Sequence, residues 1–289
     1  QMLSSMRMLP SWMDWYSDDL TDQSLAHEKK MQVKLKADLA TLKKYDRASM
    51  NEADALNYDM LAYFLTMQAD GEKYSHHNYP LNQLFGIQNE FPTFMATQHP
   101  VASVKDAENY LARLDKVPTM VDQVMEGLLV REQEKIIPPT FVVEKVLKEM
   151  RAFVAADPKQ NILYTSLQEK FSELKDDQVS QAQQKKFLGE TEVSIREKVY
   201  PAYAKFITYY QQLLPKTTGN NGVWALPDGD AFYAYSVKMH TTTDMTPEQV
   251  HELGLSEVVR IEAEMNAILV AEGLTDGTIG ARTQEIAIR

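Results

Sequence analysis

His251-Glu252, inside the stretch TPEQVHELGL at 246–255, spells the first half of the zinc-peptidase pattern His-Glu-x-x-His. That pattern works because residues four apart share one helical face, so two imidazoles reach one ion with the glutamate beside its bound water. Here the position four residues after His251 is Leu255, flanked by Gly254 and Ser256, so a single imidazole is left and the motif fails. The same letters read well as a helix start. Thr246 suits the N-cap, Pro247 the first helical position, Gln249 a capping box, and Glu248 and Glu252 oppose the positive helix end. Val250, Leu253, Val258, Ile261, Met265 and Ile268 then give a stripe expected to face the core through to Ala271.

The remaining histidines are His27, His76, His77, His99 and His240. His76 and His77 are adjacent, a poor geometry for chelating one ion, and read better as a solvated loop pair. His27, in AHEKK, reads as exposed. His240 lies in KMHTTTDM, where a glycine-marked segment meets a capped helix, a common place for substrate contacts. The hydroxyls of Thr241 to Thr243 could equally serve local turn and cap hydrogen bonds. Asp228 and Asp230 in PDGD offer two carboxylates, but Phe232 and Tyr233 stand where a calcium loop needs ligands, which favours a turn and helix cap. Neither a glycine-rich phosphate loop nor a Gly-x-Ser-x-Gly elbow is present.

The elements that must position these groups are overwhelmingly helical. Leu25, Met31, Leu35, Leu39 and Leu42 recur at spacings near 3.6. SMNEADALNYDMLAYFLTMQAD opens with Ser49 and Glu52 spaced as a capping box, then sets Leu56, Met60, Phe64 and Met67 on one face. A loop rich in aromatic residues, His and Pro follows, YSHHNYPLNQLFGIQNEFPTF. Ser103 with Asp106, Pro118, and Pro138-Pro139 mark further helix starts. A long pattern over about 178–214 carries Pro201, which should kink it or mark a junction. The 15 Met and 14 Tyr fall mostly at helical spacing and read as core, although YYQQLLP and FYAY could line a cleft. From about 215 the texture changes to tight-turn chemistry, GNNG, PDG and the Thr run. Val223, Trp224 and Leu226 suit a short strand, and DAFYAYSVKM fits a helix about as well as a strand. The expected fold is therefore mainly α: an irregular multi-helix bundle over 1–214, then 215–289 with a small β-hairpin or short-strand element near 219–243 and a long helix packed on the bundle.

The composition excludes several functions. With a net charge of -11 spread along the chain, phosphate backbones and anionic lipids are repelled, so nucleic acid is a poor partner. Zero cysteines rule out disulfides, thiolate metal sites and a Cys nucleophile. No apolar run reaches the ~20 residues that span a bilayer, and QMLSSMRMLPSWM lacks a clean signal-peptide layout. A chain that begins at Gln1 and stops about two turns into a helical pattern reads as a piece of a longer protein.

LPDGDAFYAYSVKMHTTTDMTPEQVHELGLSEVVRIEAEM, residues 226–265, closely resembles the central signature of a widespread bacterial family of unknown function, whose members are often described as lipoproteins or secreted proteins. PLNQLFGIQNEFP, NYLARLDKVP and IIPP are similar to weaker landmarks of its amino-terminal half. The resemblance implies a mostly helical protein of about twice this length, related to zincin-type metallopeptidases, with zinc bound by a His-Glu…His motif beyond Arg289. It transfers no catalytic or metal residue onto this sequence. The resulting expectation is a half of a zinc-dependent peptidase-like hydrolase that binds no metal itself. It would partner its own carboxy-terminal half and a peptide or small-molecule substrate, in a periplasmic or secreted setting with a lipid anchor as an option. Asp228, Asp230, Tyr233, Tyr235 and His240 are its expected substrate-cleft residues. The alternative is a non-catalytic helical binding or scaffolding module of the envelope, using loop 74–94 and segment 219–243.

Overall fold

The computed structural model describes residues 16–174 and 178–288, so the stretch read above for a signal layout lies outside the described residues. The chain folds as two units, Gln1–Pro227 and Asp228–Arg289.

In the first unit the helices are α1 (Leu25–Leu42), α2 (Glu52–Asp70), α3 (Ile87–Thr97), α4 (Val104–Asp115), α5 (Val117–Gln133), α6 (Thr140–Ala155), α7 (Ile162–Ser172), α8 (Gln181–Ser194) and α9 (Tyr200–Leu213). Most starts follow local chemistry. Ser24, Ser103, Asn161 and Ser180 accept backbone N–H groups at their helix starts, and prolines open α5 and α9. At α2 the cap is Asn51, extended at φ -69°, ψ 169° and accepting from the Asp54 amide; Ser49 instead ends a separate 3₁₀ turn, Arg47–Ser49. Between α8 and α9 runs a π-turn, Ile195–Val199, closed by Tyr200 N–H on the Ile195 carbonyl. Pro201 follows, where a missing N–H already interrupts the ordinary ladder.

The core gathers on α9, whose Tyr203, Phe206 and Tyr210 are fully buried. Each buried tyrosine reaches a backbone carbonyl of another segment. Tyr203 donates to Gln88 at 2.9 Å, Tyr209 to Leu128 at 3.1 Å, Tyr210 to Leu81 at 2.8 Å and, at the helix start, Tyr200 to Ala156 at 2.7 Å. Tyr110 of α4 does the same to Leu163 at 2.6 Å. Burial pushes all these phenols above their ordinary pKa, keeping them as donors.

A second buried polar set holds residues 16–20. Arg113 is fully buried; it donates to the carbonyls of Asp19 and Tyr16 at 3.0 Å each and to His99 Nδ1 at 2.5 Å. The other His99 nitrogen faces the Asp106 carbonyl at 3.0 Å and must donate there, so the ring is the neutral Nε2–H tautomer. Lys170 closes the end of α3 by donating to the carbonyls of Met95 and His99, 2.6 and 2.7 Å away.

The β element expected near 219–243 is absent: no strand occurs among the described residues. Val223–Ala225 is a single 3₁₀ turn, closed by Ala225 N–H on Gly222 and Leu226 N–H on Val223. Trp224 folds back over Gly222, where an added Cβ would meet the indole at 2.1 Å. Pro227 can donate no ladder bond, and Asp228, left-handed at φ 51°, turns the chain straight into a helix.

The second unit holds α10 (Gly229–Thr241), α11 (Pro247–Ala271) and α12 (Ile279–Ile288). Gly273 at φ 81° ends α11 with Leu274 N–H bonded to the Leu269 carbonyl, a Schellman-type stop. Arg282 ties α12 back through Leu274 O at 3.1 Å and Asn266 Oδ1 at 2.8 Å. The core-facing stripe expected along α11 is also corrected. Leu253, Val258, Ile261 and Ile268 are between 45% and 63% exposed, and only Leu269 of this helix is buried. Helical period fixes which residues share a face, not whether anything lies against it. Leu56, Met60 and Phe64 of α2 are exposed in the same way.

Two outcomes follow. Tyr210→Phe leaves the Leu81 carbonyl without its donor and should cost about 1–2 kcal/mol in urea unfolding, with the fold kept. Burial holds the His99 ring at a pKa of about 3, against the bond to Asp106 and helped by the Arg113 and Lys170 charges, whereas the ordinary value is 6.5. Below about pH 6.5 the unfolded chain therefore takes up a proton that the folded chain refuses, so stability falls as the pH drops. By pH 5 this one group removes about 2 kcal/mol. His99→Asn should lose that part of the difference between unfolding at pH 7 and pH 5; an unchanged difference would contradict it.

Candidate functional site

Asp228, Asp230, Tyr233, Tyr235 and His240 all fall on α10 or the residue that enters it. At about 100° per residue, Asp230, Tyr233 and His240 share one side of the helix and Tyr235 points away from them. Asp228, Asp230, Tyr233 and His240 are exposed, whereas Tyr235 is half-buried with its hydroxyl 3.5 Å from Met239 Sδ. His240 Nδ1 lies 2.8 Å from the Ser236 carbonyl, so Nδ1 carries the proton and Nε2 is the acceptor on the neutral ring. The helix closes at Thr242, left-handed at φ 56°. Asp228 precedes the first turn but its side chain makes no cap hydrogen bond, contrary to the capping role expected of it.

The Thr run does serve turn and cap bonding. Thr241 Oγ1 donates to the Val237 carbonyl at 2.8 Å, and Thr243 Oγ1 accepts from Met245 N–H at 3.3 Å. Lys238 pairs with Asp244 at 2.7 Å across the same corner. At α11 the helix-start chemistry is complete. Thr246 Oγ1 accepts from Gln249 N–H at 3.2 Å while Gln249 Oε1 accepts from Thr246 N–H at 2.8 Å. His251 is exposed one turn in. Among the described residues, no three His, Cys, Asp or Glu side chains converge as a metal site needs.

The more enclosed feature belongs to the first unit and to the aromatic loop. The reading of His76 and His77 as a solvated pair is corrected: both are half-buried and point apart. His76 Nδ1 lies 2.8 Å from Glu134 and its Nε2 4.0 Å from Glu28, whereas His77 Nε2 meets the Pro227 carbonyl at 2.8 Å. The loop is pinned from three sides. Arg131 of α5, only 8% exposed, donates from Nε and Nη2 to Asn78; Tyr210 holds Leu81; and Asn82 Oδ1 accepts from Leu84 and Phe85 N–H. Gly86 permits the tight return, since a Cβ there would meet Gln88 Oε1 at 2.1 Å and Asn82 N at 2.4 Å.

Between this loop, the start of α1 and α5 opens a cleft of about 590 Å³. Its lining includes His27, Glu28, Tyr79, Glu90 and Arg131. His27, read as exposed from sequence, is half-buried here and 3.9 Å from Asp22. The sequence signal for the cleft was the loop composition itself; Arg131 and Asn78, 53 residues apart, gave none.

Thr246→Ala should cost about 1 kcal/mol by removing the cap, and His251→Ala less than about 0.5 kcal/mol as an exposed substitution. Thermal unfolding of the two variants checks this, and a larger loss for His251→Ala would give that imidazole a role beyond the helix start.

Among solved structures, a protein named "putative lipoprotein" from Colwellia psychrerythraea superposes with a TM-score of 0.87 at 24% identity, over 98% of this chain and 50% of that one. A second, a "putative lipoprotein of unknown function" from Shewanella oneidensis, gives 0.59 at 15% identity, over 89% and 43%. Both likenesses are of fold, and the chain spans about half the length of each. No match was found among curated proteins. A family described as "Bacterial protein of unknown function (DUF885)" matches residues 10–287, nearly the whole chain, and the protein belongs to that family.

Proposed function

We propose that this chain is the helical, substrate-binding part of a zinc-dependent peptidase-like hydrolase, with the metal and its activated water held by residues outside it. The observation that carries the reading is the apolar face of α11, where Val258, Ile261 and Ile268 stand 45% to 63% exposed along the chain's longest described helix. Large apolar side chains exposed together on one helix face are the mark of an interaction surface. That the chain spans about half the length of its solved relatives supports a carboxy-terminal half of the whole protein as the partner that would cover this face. Asp230, Tyr233 and His240, together on one side of α10, would contact substrate; Asp228 would shape the entry to that surface, and Tyr235, on the opposite side, would support the helix from behind. The names of the solved relatives support an envelope setting, periplasmic or secreted. No helix among the described residues is long and apolar enough to cross a membrane.

The cleft of the first unit favours a second reading, a non-catalytic helical binding module of the envelope. Metal analysis and peptide hydrolysis by the longer protein separate the two. The first expects about one zinc per chain, hydrolysis abolished by chelation, and no turnover by residues 1–289 alone. A longer protein without metal and without turnover would leave the binding module.

A further inference from the structure

Arg131 is a buried guanidinium with only neutral acceptors. Nε–H is shared between the carbonyl and Oδ1 of Asn78, Nη1 donates to the Gly127 carbonyl at 3.0 Å and Nη2 to Asn78 Oδ1 at 2.6 Å. A guanidinium has five N–H donors, so one on each terminal nitrogen is left without a protein acceptor among the described residues. Glu28 and Glu134 lie near enough to favour its charge, but both are engaged with His76, and burial pulls the Arg131 pKa down. A buried cation without a paired anion is costly, and a planar fork facing a cleft is the geometry that takes a carboxylate in two parallel bonds.

Two further observations point the same way. Gly127 sits one turn below, and a Cβ there would come within 3.0 Å of Arg131 Nη1, so the guanidinium occupies a seat that a side chain would narrow. The lining also carries three carboxylates, Asp22, Glu28 and Glu90, against the single permanent cation. An anion alone would be repelled by them, whereas a ligand with a cationic group at its other end is attracted by both. Leu25, Ile87 and Val124 add apolar surface to the same lining.

We propose that this cleft binds a short peptide carrying both free ends, its terminal carboxylate seated on Arg131 and its ammonium near Asp22 and Glu90. The cleft volume of about 590 Å³ accommodates a few residues. The site deepens the preceding reading only by naming a peptide as the ligand, and it needs neither zinc nor hydrolysis.

Isothermal titration of the protein with Ala-Leu-Ala, its carboxy-terminal amide and its N-acetyl form tests it. The free peptide should bind at least tenfold more tightly than either blocked form, with or without chelator. Gly127→Ala should weaken the free peptide about tenfold while leaving the melting temperature equal or higher, because alanine favours the helix. Arg131→Lys should also weaken it, but the ligand series stands even if that variant fails to fold. An amide that binds as well as the free acid, an N-acetyl form that binds as well, or no binding at millimolar peptide would each overturn the assignment. In the longer protein, zinc-dependent hydrolysis with no discrimination between acid and amide would sink this site and leave the proposed function standing; carboxylate-dependent binding by that longer protein without turnover would do the reverse.

Discussion

Phenol-to-carbonyl hydrogen bonds from α9 are the constraint on which the first unit depends. Four tyrosines on one helix, Tyr200, Tyr203, Tyr209 and Tyr210, donate to carbonyls of the α6 end, α3, α5 and the aromatic loop. Each ring packs in or against the core while its hydroxyl gives a backbone carbonyl of another segment a donor. An aliphatic side chain could do the first job but not the second. The bond from Tyr210 to Leu81 matters most for the cleft, because it fixes the floor of the loop whose rim Arg131 holds at Asn78.

The two buried arginines of this unit show how context decides what a guanidinium does. Arg113 spends its donors on His99 and on two carbonyls of residues 16–20, lies against the Phe94 ring at 5.0 Å and is wholly enclosed. Its work is to fasten a segment. Arg131 is nearly as enclosed but borders open space, and its neutral partners hold the side chain in place without answering its charge. The same residue type thus serves as a strap in one place and as a receptor in the other.

Local chemistry was legible in the sequence and long-range pairing was not. Proline and capping signals at Ser103, Pro118, Pro139, Thr246 and Gln249 stand where helices begin, because they act within one turn of themselves. Asn51 displaced Ser49 as a cap since both residue types suit that place and only the path of the chain chooses between them. The strand expected at Val223 to Leu226 failed for want of a partner, which no run of three apolar residues can supply. For the five residues on α10, the helix gives Asp230, Tyr233 and His240 a common side; their expected role was drawn from family resemblance and from position at a junction. Arg131 and His99 passed unnoticed because their partners lie 53 and 14 residues away. The apolar stripe of α11 was visible as a pattern, but a pattern carries no information on what covers it.

The π-turn at Ile195–Val199 sets the phase of everything after it. Buried positions along this stretch run in fours, Phe187, Thr191, Ile195, Val199 and Tyr203. In a regular helix each such step would creep about 40° around the axis, and a wide turn takes up part of that creep. Winding those same five residues as ordinary α-helix, with none removed, would swing α9 by about a quarter of a turn. The phenols would then sweep past the carbonyls they now meet, so this short irregularity acts as the timing mark by which two long helices are kept in step with one core.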